Sequence, residues 1–183
     1  MTDSLGDEAQ GGKNEEATDE TAAAIGYLLR LLSQRDYTRR ELRDRMTRRK
    51  VPEDAQHAAL ARLDELELLD DRRVAEAHVR GRAHRKGRLA LRRDLAKRGV
   101  DETLVDAVLD PLDEAQQAQT ARQVLEKEAW RFRAPEVRKN RAKAAAFLNR
   151  RGFTSDVVRT TVEDAFPWTD DLEDDLEDGR GEG

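Results

Sequence analysis

Three stretches of this chain repeat one helical layout, and that repetition restricts the fold more than any other feature. Residues 41–63, 90–112 and 144–166 superpose at offsets of 49 and then 53 residues. Leu42, Leu91 and Ala144 correspond, as do Met46, Leu95 and Leu148. Lys50, Gly99 and Gly152 follow, then Val51, Val100 and Phe153. Ala55, Leu104 and Val157 come next, and Leu63, Leu112 and Ala165 close the copy. A period of this length is that of stacked helical units.

Within a copy, apolar residues fall three and four apart on both sides of a central turn: Leu91 and Leu95 before it, Leu104, Val105, Val108 and Leu109 after it. That spacing puts them on one face of two successive helices. Gly99 and Gly152 stand just past the first helix, where a left-handed residue closes the last turn and glycine is favoured. Lys50 holds that place in the first copy, at a conformational cost if its backbone takes the same geometry. Asp101 and Thr154 are placed to cap the following helix, and Pro52 suits its first turn in the first copy. Thr38 with Glu41 is a capping-box pattern, and Pro111 should end or kink the last helix of the second copy.

A further helical pattern precedes each copy. The first is 22–33, with Ile25, Leu28, Leu29 and Leu32 on one face; the second is 72–85, with Val74, Ala75, His78, Val79 and Ala83. The third is 114–131, with Ala118, Ala121, Val124, Leu125 and Trp130. The expected fold is all-α: three tandem three-helix, helix-turn-helix-like repeats forming an elongated curved array, because no repeat can bury its apolar stripe alone. The expected repeats are 22–70, 71–113 and 114–166, with residues 1–21 and 167–183 as disordered acidic tails.

Composition agrees with this architecture. Charged residues are 40% and hydrophobic residues 37% of the chain, too polar for a thick core but suited to thin helical layers. The lack of cysteine excludes disulfides, thiol chemistry and cysteine-based zinc sites. No apolar run approaches the length of a bilayer span. The first twenty residues are acidic and lack the apolar stretch of a secretory signal, so a cytoplasmic monomer with no membrane association is expected. The formal net charge of −5 conceals segregation. Residues 1–21 carry net −6 and 167–183 net −7, leaving residues 22–166 at net +8. Tails this polar and charged are expected to stay unfolded, either as solubilising extensions or as competitors with phosphate for the basic segment.

The chemistry-bearing residues do not assemble into a catalytic set. His57, His78 and His84 lack the spacing of a metal motif, and His78 falls on an apolar helix face, where a packed histidine is the simpler reading. Asp70 and Asp71 form a carboxylate pair, but directly before a helix they read as cap and helix-dipole residues. The serines sit in no nucleophile elbow, and phosphate-cradling glycine motifs are absent. The expectation is a non-enzyme without cofactor or metal.

The basic residues carry the functional signal. Residues 72–98 hold eleven bases against two acids, and 127–151 hold nine against two. In the second copy, bases populate the first two helices and acids the third, an arrangement that can place a basic stripe on one face. Such a stripe is the electrostatic footprint of phosphate binding. The plainer reading, a solvated surface of i,i+4 pairs, needs comparable numbers of acids on the same helices. The candidate contacts are Arg80, Arg82, Arg85, Lys86, Arg88, Arg92, Arg93, Lys97 and Arg98, with Arg138, Lys139, Arg141 and Lys143. Aromatic platforms for unpaired bases are limited to Trp130 and Phe132. Single- or double-stranded nucleic acid bound without sequence readout is the expected ligand.

Several motifs then converge on one family. The leucine-rich end of the first copy, the Leu68–Asp71 cap, Ala75-Glu76-Ala77, the Lys86-Gly87 turn, Lys97-Arg98-Gly99-Val100 and residues 147–158 resemble, in order and spacing, the RecX family of bacterial regulators of the RecA recombinase. The resemblance spans about residues 22–166 and includes the three-unit layout. It departs from the family at Val74 and His78, where aromatics are usual, at Lys50, where glycine is usual, and at Arg88, where proline is common. The resemblance implies three tandem three-helix units that lie along the groove of the recombinase–DNA filament. It also implies inhibition of strand exchange, ATPase and coprotease function, damping the DNA-damage response. The alternative left by the residues themselves is a general nucleic-acid-binding helical repeat acting without a recombinase. A hydrolase using Asp70 and Asp71 is a third, more distant reading.

Overall fold

The computed structural model describes residues 7–167, with side chains from Glu16 onward. Among the described residues there are nine α-helices, one 3-10 turn and no strand. The helices are α1 (Asp7–Leu32), α2 (Arg39–Arg48), α3 (Glu53–Glu65), α4 (Asp71–Arg80), α5 (Arg88–Lys97), α6 (Glu102–Leu109), α7 (Glu114–Lys127), α8 (Val137–Arg150) and α9 (Ser155–Ala165). A 3-10 turn, Ala129–Arg131, separates α7 from α8. The helices fall in threes, so the all-α architecture of three three-helix repeats read from the sequence is the one observed.

The turn that anchored the alignment has one geometry in all three repeats. Lys50, Gly99 and Gly152 have φ of 59°, 75° and 79°. The amide of each donates three residues back, to Thr47, Ala96 and Asn149, at 2.9 Å. The next amide, of Val51, Val100 or Phe153, donates to the carbonyl of Met46, Leu95 or Leu148 at 3.1–3.3 Å. These paired bonds satisfy the last carbonyls of the helix in a Schellman closure. The residues before the turn, Leu42, Met46, Leu91, Leu95, Ala144 and Leu148, are all fully buried. Lys50 therefore accepts a left-handed backbone that costs a non-glycine residue about 1–2 kcal/mol.

A second device recurs one step further out, joining consecutive repeats. Thr38, the N-cap of α2, donates from its hydroxyl to the carbonyl of Arg98 at 2.6 Å. Forty-nine positions later, the Gly87 amide donates to the carbonyl of Arg151 at 2.9 Å, and Leu89 donates to Gly152 at 3.0 Å. Thr38 and Gly87 are equivalent, and so are Arg98 and Arg151. In both cases the start of one repeat's middle helix seats on the closing turn of the next repeat. A Cβ at Gly87 would overlap the Gly152 backbone, and one at Gly152 would overlap Ala90, so this joint requires two glycines.

The described residues divide into two compact bodies, one of residues 7–81 with Arg92–Leu109, the other of Arg82–Leu91 with residues 110–167. The first has a core of Ala24, Leu28, Tyr37, Leu42, Met46, Ala59, Leu60 and Leu63. Val74, Ala75, Val79, Leu95, Val105, Val108 and Leu109 are buried in it as well. The second is centred on Val124, Leu125, Phe132, Phe147, Leu148, Phe153 and Val157. Each fully buried leucine or phenylalanine contributes roughly 1.5–3 kcal/mol.

Several elements depart from the sequence reading. The helix expected from residue 22 begins at Asp7, so residues 7–21, expected as a disordered tail, are helical. Alanine, glutamate and glutamine there favour propagation of a helix anchored further along, and Ala17, Thr18, Glu20, Thr21 and Ala22 line a cleft with Pro52, Asp54, Ala55 and Ala58 of α3 and its cap. Residues 1–6 and 168–183 of the expected tails lie outside the described residues. Helix α4 stops at Arg80 rather than 85, because Gly81, a poor helix former, takes the C-cap. Helix α7 stops at Lys127, so Trp130, expected on its apolar stripe, is carried onto the 3-10 turn and is 65% exposed. Leu29 likewise is exposed and Ala165 faces solvent. Pro52 serves as the cap of α3 rather than within its first turn, and α6 ends before Pro111, as expected.

Candidate nucleic-acid interface

The carboxylate pair has structural partners. Asp70 caps α4 by accepting from the Arg73 amide at 2.9 Å. Asp71 accepts from the Arg39 amide at 2.8 Å, at the start of α2. Both carboxylates thus satisfy orphan N–H groups at helix N-termini. His78 is 9% exposed and its Nε2 faces Asp94 of α5 at 3.4 Å, a packed histidine as expected. His57 and His84 are exposed. Among the described residues, no group of three or more His, Cys, Asp or Glu is arranged to hold a metal ion.

Several basic residues are tied into the fold, and several have exposed side chains. In the first body, Arg98 forms two bonds to Glu41, at 3.1 and 2.8 Å, with only 19% of its side chain exposed. Burial works against the Glu41 charge, but the Arg98 bonds, the Thr38 amide and the Arg98 and Arg35 charges outweigh it, so the carboxyl titrates below its ordinary range. Arg98 thereby locks the end of α5 onto the capping box of α2. Arg92 pairs with Asp106 and Glu102 at α6. Arg80, Arg93 and Lys97 are exposed.

In the second body, the Arg88 amide donates to Gln117 at 2.7 Å and its guanidinium to the Leu112 carbonyl. Proline, common at this position in the family the chain resembles, has no N–H and could not make that backbone bond. Arg141 donates to the Phe166 carbonyl at 2.6 Å, tying α8 to the end of α9. Arg85 is exposed, Arg82 and Lys86 are half-buried, and Arg151 reaches the Arg85 carbonyl at 3.2 Å. Arg138, Lys139 and Lys143 are exposed on α8, with Lys139 bonded to Glu136 one turn back.

Phe132, one of the two aromatics to which the sequence limited base stacking, is a core residue, in edge contact with Phe147 and Phe166. Trp130 is the exposed aromatic among the described residues. Arg131 and Arg150, which lie in the basic stretch but are not among the candidate contacts, join Lys143 in lining a cleft with Phe132, Ala146 and Phe147. The signal in the sequence was the spacing: Lys143, Ala146, Phe147 and Arg150 are i, i+3, i+4 and i+7 on one helix face.

A chain of three successive three-helix repeats with exposed cations on several helices belongs to the class of helical-repeat proteins. Sequence profiles of the RecX second, first and third three-helix domains match residues 70–109, 24–63 and 114–162. The regulatory protein RecX of Streptomyces lividans is 33% identical over 168 residues, covering 88% of this chain and 89% of that protein. The RecX proteins of Halorhodospira halophila and Thermus thermophilus are 39% and 41% identical over 150 and 130 residues, covering 80% and 71% of this chain and 91% and 83% of those proteins. The crystal structure of RecX from Lactobacillus salivarius superposes with a TM-score of 0.73 at 25% identity, covering 80% of this chain and 97% of that one. The chain belongs to the RecX family of regulatory proteins.

Proposed function

We propose that this chain regulates the RecA recombinase by binding the filament that RecA forms on DNA, and that it inhibits strand exchange, ATP hydrolysis and coprotease activity. The observation that carries the reading is family membership across all three domains. The exposed cations Arg80, Arg85, Arg93, Lys97, Arg138 and Lys143 support a phosphate-bearing partner. A regulator acting by occupancy needs no catalytic centre, and Asp70 and Asp71 are engaged with backbone amides.

Titrating the purified chain into RecA filaments on single-stranded DNA tests the reading. DNA-dependent ATP hydrolysis should fall as the chain is added, and unchanged hydrolysis at saturation would overturn the proposal. The second reading, binding of nucleic acid without a recombinase, is favoured by one observation, the exposed Trp130 among cations. Equal affinity for bare DNA and for the filament, with the same salt slope, would select it.

A further inference from the structure

The cleft on α8 has the chemistry of a nucleotide site, and it lies wholly within the second body. It has a volume of about 320 Å³, within the roughly 300–1,000 Å³ range of small-ligand pockets. Arg131, Lys143 and Arg150 are exposed around it, its apolar floor is the buried pair Phe132 and Phe147, and the exposed Ala146 lies at its edge. No acidic residue lines it. Three cations over an apolar floor select an anion that carries an apolar part.

The aromatic geometry narrows the choice. The Arg131 guanidinium lies 5.3 Å from the Phe147 ring centroid and 5.6 Å from that of Trp130. Arg131 thus links the buried ring in the cleft to an indole that is 65% exposed. A large aromatic left this open is unusual, because its burial is worth several times that of a methyl group. Here it is held beside the cleft by a 3-10 turn whose Arg131 amide donates to Glu128 at 2.9 Å and whose Phe132 anchors in the core. The Glu128 carboxylate, 3.4 Å from Arg131, positions that guanidinium.

We propose that this cleft, together with Trp130, binds one nucleotide of a single-stranded nucleic acid: Lys143 and Arg150 hold the phosphate, and the unpaired base stacks on the Trp130 indole. A duplex presents phosphates but no free base face. An acidic peptide supplies charge but leaves the indole uncovered. An unpaired nucleotide supplies both. The inference deepens the proposed function, and rests on its premise that the basic surface meets nucleic acid. It adds that part of this surface reads single-strandedness.

The test uses the full-length chain carrying Trp168→Phe, in which Trp130 is the remaining tryptophan. Oligothymidylate should quench Trp130 fluorescence along the same isotherm that fluorescence anisotropy of a labelled oligothymidylate reports for binding. A duplex of equal length should bind without that quench. Trp130→Ala should weaken oligothymidylate binding roughly five- to 150-fold, the range for loss of one base–aromatic stack. Lys143→Glu with Arg150→Glu should abolish the quench with helicity unchanged by circular dichroism. Binding without quenching, an equal quench by duplex or by oligoglutamate, or full affinity in Trp130→Ala would each overturn the inference. If Trp130→Ala binds oligothymidylate with full affinity and still inhibits filament ATPase, this site falls while the proposed regulation stands.

Discussion

At the scale of single residues, the informative case is Arg98, whose place in a basic run marks it as a phosphate contact. The structure gives it a different partner. Its two bonds to Glu41 lie beside the reciprocal bonds between Thr38 and Glu41 that cap α2. Removing Arg98 leaves a half-buried carboxylate with weaker compensation, so Arg98→Ala should cost about 1–2 kcal/mol after allowance for solvent screening. The pH dependence has a definite sign. Glu41 titrates below its ordinary value of 4.5 when folded. Its contribution is therefore complete above that value and is lost as pH falls through the lower folded value. Urea denaturation should show Glu41→Gln destabilised near neutrality, with the deficit shrinking at pH well below 4.5. A deficit that stayed constant on acidification would show that the ion pair is not its source.

At the scale of elements, the turn after each repeat's middle helix was legible because glycine marks it twice, and alignment then located Lys50 in the same conformation. The joint between repeats was not legible. It depends on carbonyls of Arg98 and Arg151, which any residue supplies, meeting a hydroxyl in one case and a glycine amide in the other. The end of α7 was hidden too, because no glycine or proline marks Lys127–Glu128, and Trp130 was assigned to the wrong face as a result. The site was half legible: counting bases found the cationic segments, but Arg92 and Arg98 are engaged by acids that only tertiary structure brings near. The joint makes its own prediction. Gly87→Ala forces a methyl into the Gly152 backbone and should destabilise by about 1–3 kcal/mol, the range for forced overpacking. Gly26, inside α1, has only the flexible end of Arg30 nearby, at 3.8 Å. There, alanine should stabilise by about 0.5–1 kcal/mol through helix propensity. Chemical denaturation of the two variants separates a contact effect from a propensity effect, and equal responses would sink the joint.

At the scale of the whole molecule, charge is distributed by segment rather than balanced. The chain is formally −5, yet residues 22–166 are +8 and residues 167–183 are −7. By charge alone, an acidic segment of this composition competes with any phosphate-bearing ligand for the basic residues of 22–166, and it is covalently attached to them. Attachment gives it a high effective concentration, so even weak association competes with a ligand in solution. Deleting residues 167–183 removes eight acids and one base and shifts the formal charge from −5 to +2. Binding of oligothymidylate should tighten in the truncated chain at low ionic strength, where the Debye length is roughly 30 Å at 0.01 M. The difference should close towards 1 M, where it is roughly 3 Å. The slope of log affinity against log salt should also steepen, because a displaced tail takes counterions back up and so offsets part of the release from phosphate, an offset the truncated chain lacks. Anisotropy titrations across a salt series measure both quantities. Identical affinities at low salt would show that the acidic segment does not occupy the phosphate-binding cations, leaving it the role of a solubilising extension.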